Sequence, residues 1–125
     1  MASQHFSKED RLCSSLRIET LFSEGERLYE FPFKAIWQED DTLQSTVKVA
    51  ISVPKKRLSK ASQRNHIKRL VREAYRKQKN LLVEKLLQKN KSINLMLVYT
   101  LPSILTFNEI EDKISVTLQR LADEV

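Results

Sequence analysis

The sequence predicts an α+β fold in which helices pack on one mixed sheet. Three observations carry this. Thr46 to Val53 alternates, with Val47, Val49, Ile51 and Val53 on one face and Lys48, Ala50 and Ser52 on the other. Ile93 to Leu101 is apolar on both faces, as a central or well-covered strand requires. Between the two strands runs an amphipathic helical stretch, and helical patterns also stand near both ends of the chain. At 125 residues, the chain is expected to form one domain over 1–125 and to bury a core without covalent staples.

The elements are read in order. Ser7, followed by Glu9 and Asp10, has the form of a helix N-cap with acids in the first turn. Leu12, Leu16 and the Leu21/Phe22 pair give helical spacing, with the main helix over about Ser15 to Ser23. Gly25, the only glycine, stands where a C′ residue would end it. Arg27 to Tyr29 is a short strand. Phe31-Pro32-Phe33 confines pairing there to an edge or a strand start. Phe33, Ala35 and Trp37 then alternate with Lys34, Ile36 and Gln38. Glu39-Asp40-Asp41 is an acidic turn, expected to be solvated. The small side chains Ala50 and Ser52 leave room on their face for a helix or a ligand.

Ser59 or Ser62 is the expected cap of the next helix. At about 100° per residue, Ile67, Leu70, Val71, Ala74 and Tyr75 share an apolar face. Arg64, Lys68, Arg72 and Arg76 form a row at spacing four, flanked by Asn65 and Arg69, with His66 and Glu73 away from it. Asn80 to Asn90 is helical again, as a continuation or as a second short helix. Thr106 and Glu109 form a capping box for a last helix carrying Phe107, Ile110, Ile114, Leu118 and Leu121 inward.

Charge separates the chain into unlike parts. Pro54 to Lys79 holds 11 of the 22 basic residues and one acid, Glu73. This one stretch therefore carries +10 in a chain of net +6. Like charges at spacing four cost a few tenths of a kcal/mol per pair in an isolated helix, so a merely solvated surface would intersperse acids. A basic row on one helix face instead fits successive phosphates, with binding that weakens as salt rises. Arginine suits phosphate pairs and base edges, and Asn65 can hydrogen-bond a sugar or base. Phe22, Phe33, Lys34 and Ile36 are candidates to line a groove for single-stranded nucleic acid.

Other classes are poorly supported. One glycine cannot build a nucleotide-binding glycine loop. The single cysteine, Cys13, forms no internal disulfide and suits a cytosolic setting. His5 and His66 lie far from it in sequence, and no metal-ligand spacing is present. MASQHFSKEDRL contains no apolar secretory core, and no apolar run approaches the ~20 residues that span a bilayer. A self-contained nuclease using Glu39, Asp40, Asp41 or His66 ranks below an RNA-binding role.

Ser52-Val53-Pro54-Lys55-Lys56, then Ala61, then Arg64-Asn65-His66-Ile67-Lys68-Arg69-Leu70-Val71-Arg72-Glu73-Ala74-Tyr75-Arg76 closely resembles the signature of the bacterial ribonuclease P protein component family. That signature is a strand ending in SVxKK, a short connection, and a helix bearing RNRxKRxxRE. Arg11-Leu12, Phe22, Gly25 and Phe31-Pro32-Phe33 match upstream in order and spacing. The specific motifs thus cover Arg11 to Arg76, and the last strand and helix match in pattern only. His66 stands where the signature has arginine, Ser62 where valine is common, Ser59-Lys60 where many members have a glycine-containing turn, and Ile18 at a position often aromatic.

The resemblance implies a two-layer αβββαβα fold with a mixed four-stranded sheet and a left-handed βαβ crossover. It implies a subunit of ribonuclease P, the endoribonuclease that matures tRNA 5′ ends, with catalysis in the RNA subunit and no catalytic residue in the protein. Implied partners are the ribonuclease P RNA, with one protein per catalytic RNA, and the 5′ leader of precursor tRNA. Mg²⁺ would serve the holoenzyme, bound mainly by the RNA, and the setting would be cytoplasmic, with no membrane. Carried over by position, Lys55, Lys56, Arg64, Asn65, Lys68, Arg69, Arg72 and Arg76 contact RNA. Ile18, Phe22, Phe33, Lys34 and Ile36 fall at the leader cleft. A structural RNA-binding protein of ribosomal type is the alternative reading.

Overall fold

A computed structural model describes residues 15–42 and 46–125. The chain runs α1 (Ser15–Glu24), β1 (Glu26–Glu30), β2 (Phe33–Glu39), β3 (Val47–Ser52), α2 (Ala61–Gln88), β4 (Ile93–Tyr99) and α3 (Phe107–Glu124). This is the expected order. The cap read at Ser7 lies outside the described residues.

The four strands form one sheet in the order β1-β2-β4-β3. β1 and β2 form an antiparallel hairpin, β2 pairs antiparallel with β4, and β3 pairs parallel with β4. A parallel pair cannot be joined by a tight turn, and α2 is the crossover between β3 and β4. β4 is central, and all seven of its residues are buried, as its unbroken apolar character requires.

Strand periodicity sorts the side chains into two cores. Phe33, Ala35 and Trp37 of β2, Val47 and Val49 of β3, and Leu95, Leu97 and Tyr99 of β4 meet α2 and α3 in the larger core. Ile67, Val71, Tyr75, Leu82 and Leu86 come from α2, and Ile110, Ile114, Leu118 and Leu121 from α3. On the opposite face, Ile36, Met96 and Val98 meet Leu21 of α1, with Ile18 and Ala50 packed alongside. The sheet is thus fully covered on one side and only partly covered, by the ten-residue α1, on the other.

Several local expectations are refined. α2 is a single 28-residue helix, because Leu82 and Leu86 continue the inward stripe of Ile67 and Val71. Lys60, not Ser59 or Ser62, is its N-cap, and no side chain caps it. β4 ends at Tyr99, before Leu101 and Pro102. The Thr106–Glu109 capping box is present in both directions: Glu109 N–H donates to Thr106 Oγ1 at 3.3 Å, and Thr106 N–H donates to Glu109 Oε1 at 3.0 Å.

Gly25 follows α1 as expected, but for a different reason. It does not adopt positive φ. Its N–H donates to Leu21 O at 2.9 Å. A Cβ there would stand 2.5 Å from Leu21 O and 2.8 Å from Ile36 Cγ2. Glycine is required because α1 and β2 approach closely at this point.

The acidic turn also differs from expectation. Asp40 is a junction, with its side chain only 13% exposed. It pairs with Arg17 of α1, accepts from the buried Asn94 of β4 at 3.0 Å, and accepts from Thr42 N–H at 3.0 Å. It fixes one end of α1 to the sheet.

Candidate nucleic-acid interface

The open part of the α1 face follows from the register. Tyr29 faces Lys34, Lys34 faces Val98, and Val98 faces Ser52. The next row is Arg27, Ile36, Met96 and Ala50, and the third contains Gln38, Asn94 and Lys48. α1 is held over the third row by the Arg17–Asp40 pair and over the second by Leu21. The row Tyr29–Lys34–Val98–Ser52 lies at the margin of α1 as the floor of a candidate groove: Val98 packs against Leu21, Lys34 and Ser52 are half-buried, and Tyr29 is exposed. Phe22, next to Leu21 on α1, is 41% exposed, which makes it the candidate wall. Arg27 fastens that wall to β1 by donating to the Phe22 carbonyl.

The five residues expected at this cleft are divided by the sheet. Ile18 and Ile36 lie on the α1 face, Ile36 fully buried beneath Leu21. Phe22 and Lys34 border the open strip. Phe33 does not. One residue before Lys34, it points to the other face, is 0% exposed, and meets Tyr99 edge-on at a centroid distance of 5.7 Å. Strand alternation forbids Phe33 and Lys34 from lining the same surface. Of the small side chains expected to leave room on that face for a helix or a ligand, Ala50 packs alongside Leu21 of α1 and Ser52 continues the strip.

The second surface is α2. Its side towards α3 is defined by Gln78, which donates to Glu111 O at 2.9 Å, and by Lys77, which pairs with Glu111 at 3.6 Å and lies 5.4 Å from the Phe107 ring centre. The row of Arg64, Lys68, Arg72 and Arg76 runs along the opposite flank, with Asn65 and Arg69 exposed outside it. Lys55 and Lys56 are exposed in the turn that precedes the helix. β3 therefore lies between the two surfaces, with one face towards α2 and the other in the open strip.

Arg64 and Arg76 of the row also hold neighbouring groups of the protein. Arg64 Nη1 donates to Leu58 O at 3.0 Å and Ser59 O at 2.7 Å, clasping the connection in place of a side-chain cap. Arg76 Nη2 donates to Glu73 Oε1 at 2.5 Å. Glu73, expected away from the row, reaches it across one turn. That hydrogen bond holds the Glu73 carboxyl below the usual carboxylate range and raises Arg76 in return. His66 Nδ1 lies 3.5 Å from Arg69 Nη2, so this position touches the basic cluster from its rim.

Negative charge collects elsewhere. Glu24, Glu26, Glu39 and Glu124 line a hollow of about 440 Å³ together with Trp37 and with Lys91, which pairs with Glu39 at 3.0 Å. Among the described residues, no group of three or more His, Cys, Asp or Glu is arranged to hold a metal ion, and no helix is long and apolar enough to cross a membrane.

A half-covered mixed sheet beside a cationic helix defines a class of small basic α+β domains. Comparison with known proteins makes this specific. The profile of the Ribonuclease P family matches residues 6–122. The ribonuclease P protein component of Porphyromonas gingivalis strain W83 is 33% identical over 124 residues, covering 95% of this chain and 88% of the relative. That of Pseudoalteromonas translucida is 35% identical over 80 residues, covering 64% and 56%. Among solved structures, the Staphylococcus aureus RNase P protein superposes with a TM-score of 0.73 at 19% identity, covering 90% of this chain and 94% of that one. The Thermotoga maritima RNase P protein gives 0.70 at 23%, covering 88% and 96%. The chain belongs to the ribonuclease P protein component family. It is a subunit of the RNA-based enzyme that matures tRNA 5′ ends, and its partner is the ribonuclease P RNA.

Proposed function

We propose that the chain is one RNA-binding domain that bridges two RNAs. The basic flank of α2, with Lys55, Lys56, Arg64, Asn65, Lys68, Arg69, Arg72 and Arg76, docks on the ribonuclease P RNA. The groove of Phe22 and Lys34, floored by Val98 and Ser52 and backed by Ile18 and Ile36, holds the 5′ leader of precursor tRNA. One protein serves one catalytic RNA, in the cytoplasm. The observation that carries this reading is the unequal covering of the sheet, which leaves an open strip with an exposed aromatic wall and a lysine floor beside a basic helix.

The chemistry divides accordingly. Phosphodiester hydrolysis, with its Mg²⁺, belongs to the RNA subunit. Lysine and arginine on α2 neutralise phosphates and release their counterions. Phe22 offers a flat apolar face to an unpaired base, and Lys34 a charge to its phosphate. Positioning the leader raises affinity for the precursor over the product, because the product has lost the leader.

Reconstitution tests this. The protein is mixed with its cognate ribonuclease P RNA at low Mg²⁺, and 5′ cleavage of precursor tRNA is measured. Stimulation of cleavage is expected. RNA binding without stimulation would instead favour a structural RNA-binding role.

A further inference from the structure

Seven large apolar side chains among the described residues are exposed, and three of them are aromatic: Phe22, Tyr29 and Phe31. The larger core absorbs Phe33, Trp37, Tyr75 and Tyr99. Tyr29 is 56% exposed and Phe31 53%, so neither is spent on core packing. Scattered exposed apolar residues are ordinary. Here, however, the exposed aromatics gather around one groove. Tyr29 is the register partner of Lys34 and so continues the floor row to its β1 end. Phe31 stands two residues further on, in the turn.

The two rings are exposed, but their backbone is held. Tyr29 Oη lies 3.3 Å from Thr100 Oγ1. Thr100 donates to Pro32 O through both its N–H and its Oγ1, each at 2.8 Å, fastening the turn that carries Phe31 to β4. Arg120 of α3 donates to Tyr29 O at 3.0 Å and to Glu30 Oε1 at 2.8 Å. The second of these bonds neutralises the one acid between the rings. The result is two solvent-facing aromatic side chains on a held backbone, Tyr29 cross-strand from Lys34 and Phe31 in the adjoining turn. A ring carried on held backbone loses less freedom on binding, which favours stacking.

We propose that Tyr29 and Phe31 form an aromatic step at the β1 mouth of the groove that stacks a nucleobase of the single-stranded leader, beyond the segment held by Phe22 and Lys34. The inference rests on the leader-binding reading above and extends it. The occupant is a nucleobase because the step continues a lysine-floored strip and its own acid is already paired. Every base has a π-face, so such a step accepts any sequence. It adds affinity with leader length and leaves cleavage chemistry to the RNA.

The test uses reconstituted holoenzyme and precursor tRNA with leader nucleotides replaced singly by 2-aminopurine, whose fluorescence is quenched by stacking. One position is expected to be quenched in a Tyr29-dependent manner, distinct from those sensitive to Phe22→Ala. Tyr29→Ala with Phe31→Ala is expected to lower affinity for long-leader precursor about 10-fold and to leave leaderless tRNA unchanged. Tyr29→Phe retains the ring and the quenching, whereas Tyr29→Leu retains bulk and loses the quenching. If Tyr29→Leu matches wild type while Phe22→Ala abolishes leader preference, the step is wrong and the leader groove stands. If wild type shows no leader preference, both fall. If the double variant changes only the self-association of the free protein, the patch serves a second copy and the inference is overturned.

Discussion

Phe33 and Lys34 are adjacent in sequence and serve opposite faces of the sheet. Position along the chain suggested both for the cleft, and period-two alternation separates them. Phe33→Ala is therefore expected to cost about 3–5 kcal/mol of stability, read by denaturant unfolding, with leader preference retained in whatever protein folds. Arg64 shows the complementary limit. A sequence counts its charge but does not show its guanidinium on the Leu58 and Ser59 carbonyls. Lys68→Ala should reduce the salt slope of binding to the catalytic RNA by about one with an unchanged melting temperature. Arg64→Ala should also lower stability, by about 1 kcal/mol. A fully stable Arg64→Ala would show that the clasp is dispensable. Asp40 was hidden for the same reason, since nothing in Glu39-Asp40-Asp41 reveals which carboxylate meets Arg17 and Asn94.

At the scale of elements, much was legible. The capping box, the inward stripe of α3, the unbroken apolar β4 and the two faces of α2 all follow from local periodicity, which survives folding. Missed features depend on distant partners. Gly25 is one: its position marks the helix end, but its necessity comes from Ile36 on the neighbouring strand. Gly25→Ala should cost about 1–3 kcal/mol in unfolding experiments and weaken leader binding by displacing α1. Thr106 and Glu109 give a pH-dependent case. Hydrogen bonds from the Thr106 backbone N–H, and then from its hydroxyl, hold the Glu109 carboxyl below the usual range. Its contribution is thus present above the ordinary carboxylate pKa, about 4.3, and is lost as pH falls through the lower folded value. Thr106→Ala should cost about 1 kcal/mol at neutral pH, and the difference from wild type should shrink in acid. A difference independent of pH would argue against the reciprocal box.

At the scale of the whole molecule, two surfaces flank one edge strand. β3 carries the open strip on one face and α2 on the other, while carboxylates gather in the hollow around Trp37. On the proposed bridging of two RNAs, this polarity would orient the basic flank of α2 on the catalytic RNA and leave the groove to the leader. It also makes the two binding functions separable by mutation. The most direct test is the affinity of the reconstituted holoenzyme for leader-bearing and leaderless tRNA, wild type beside Phe22→Ala, at saturating catalytic RNA. The account predicts that wild type prefers the leader-bearing substrate. Phe22→Ala should lose about 5- to 100-fold of that affinity with leaderless binding unchanged. Equal loss for both substrates, or no leader preference in wild type, would contradict it.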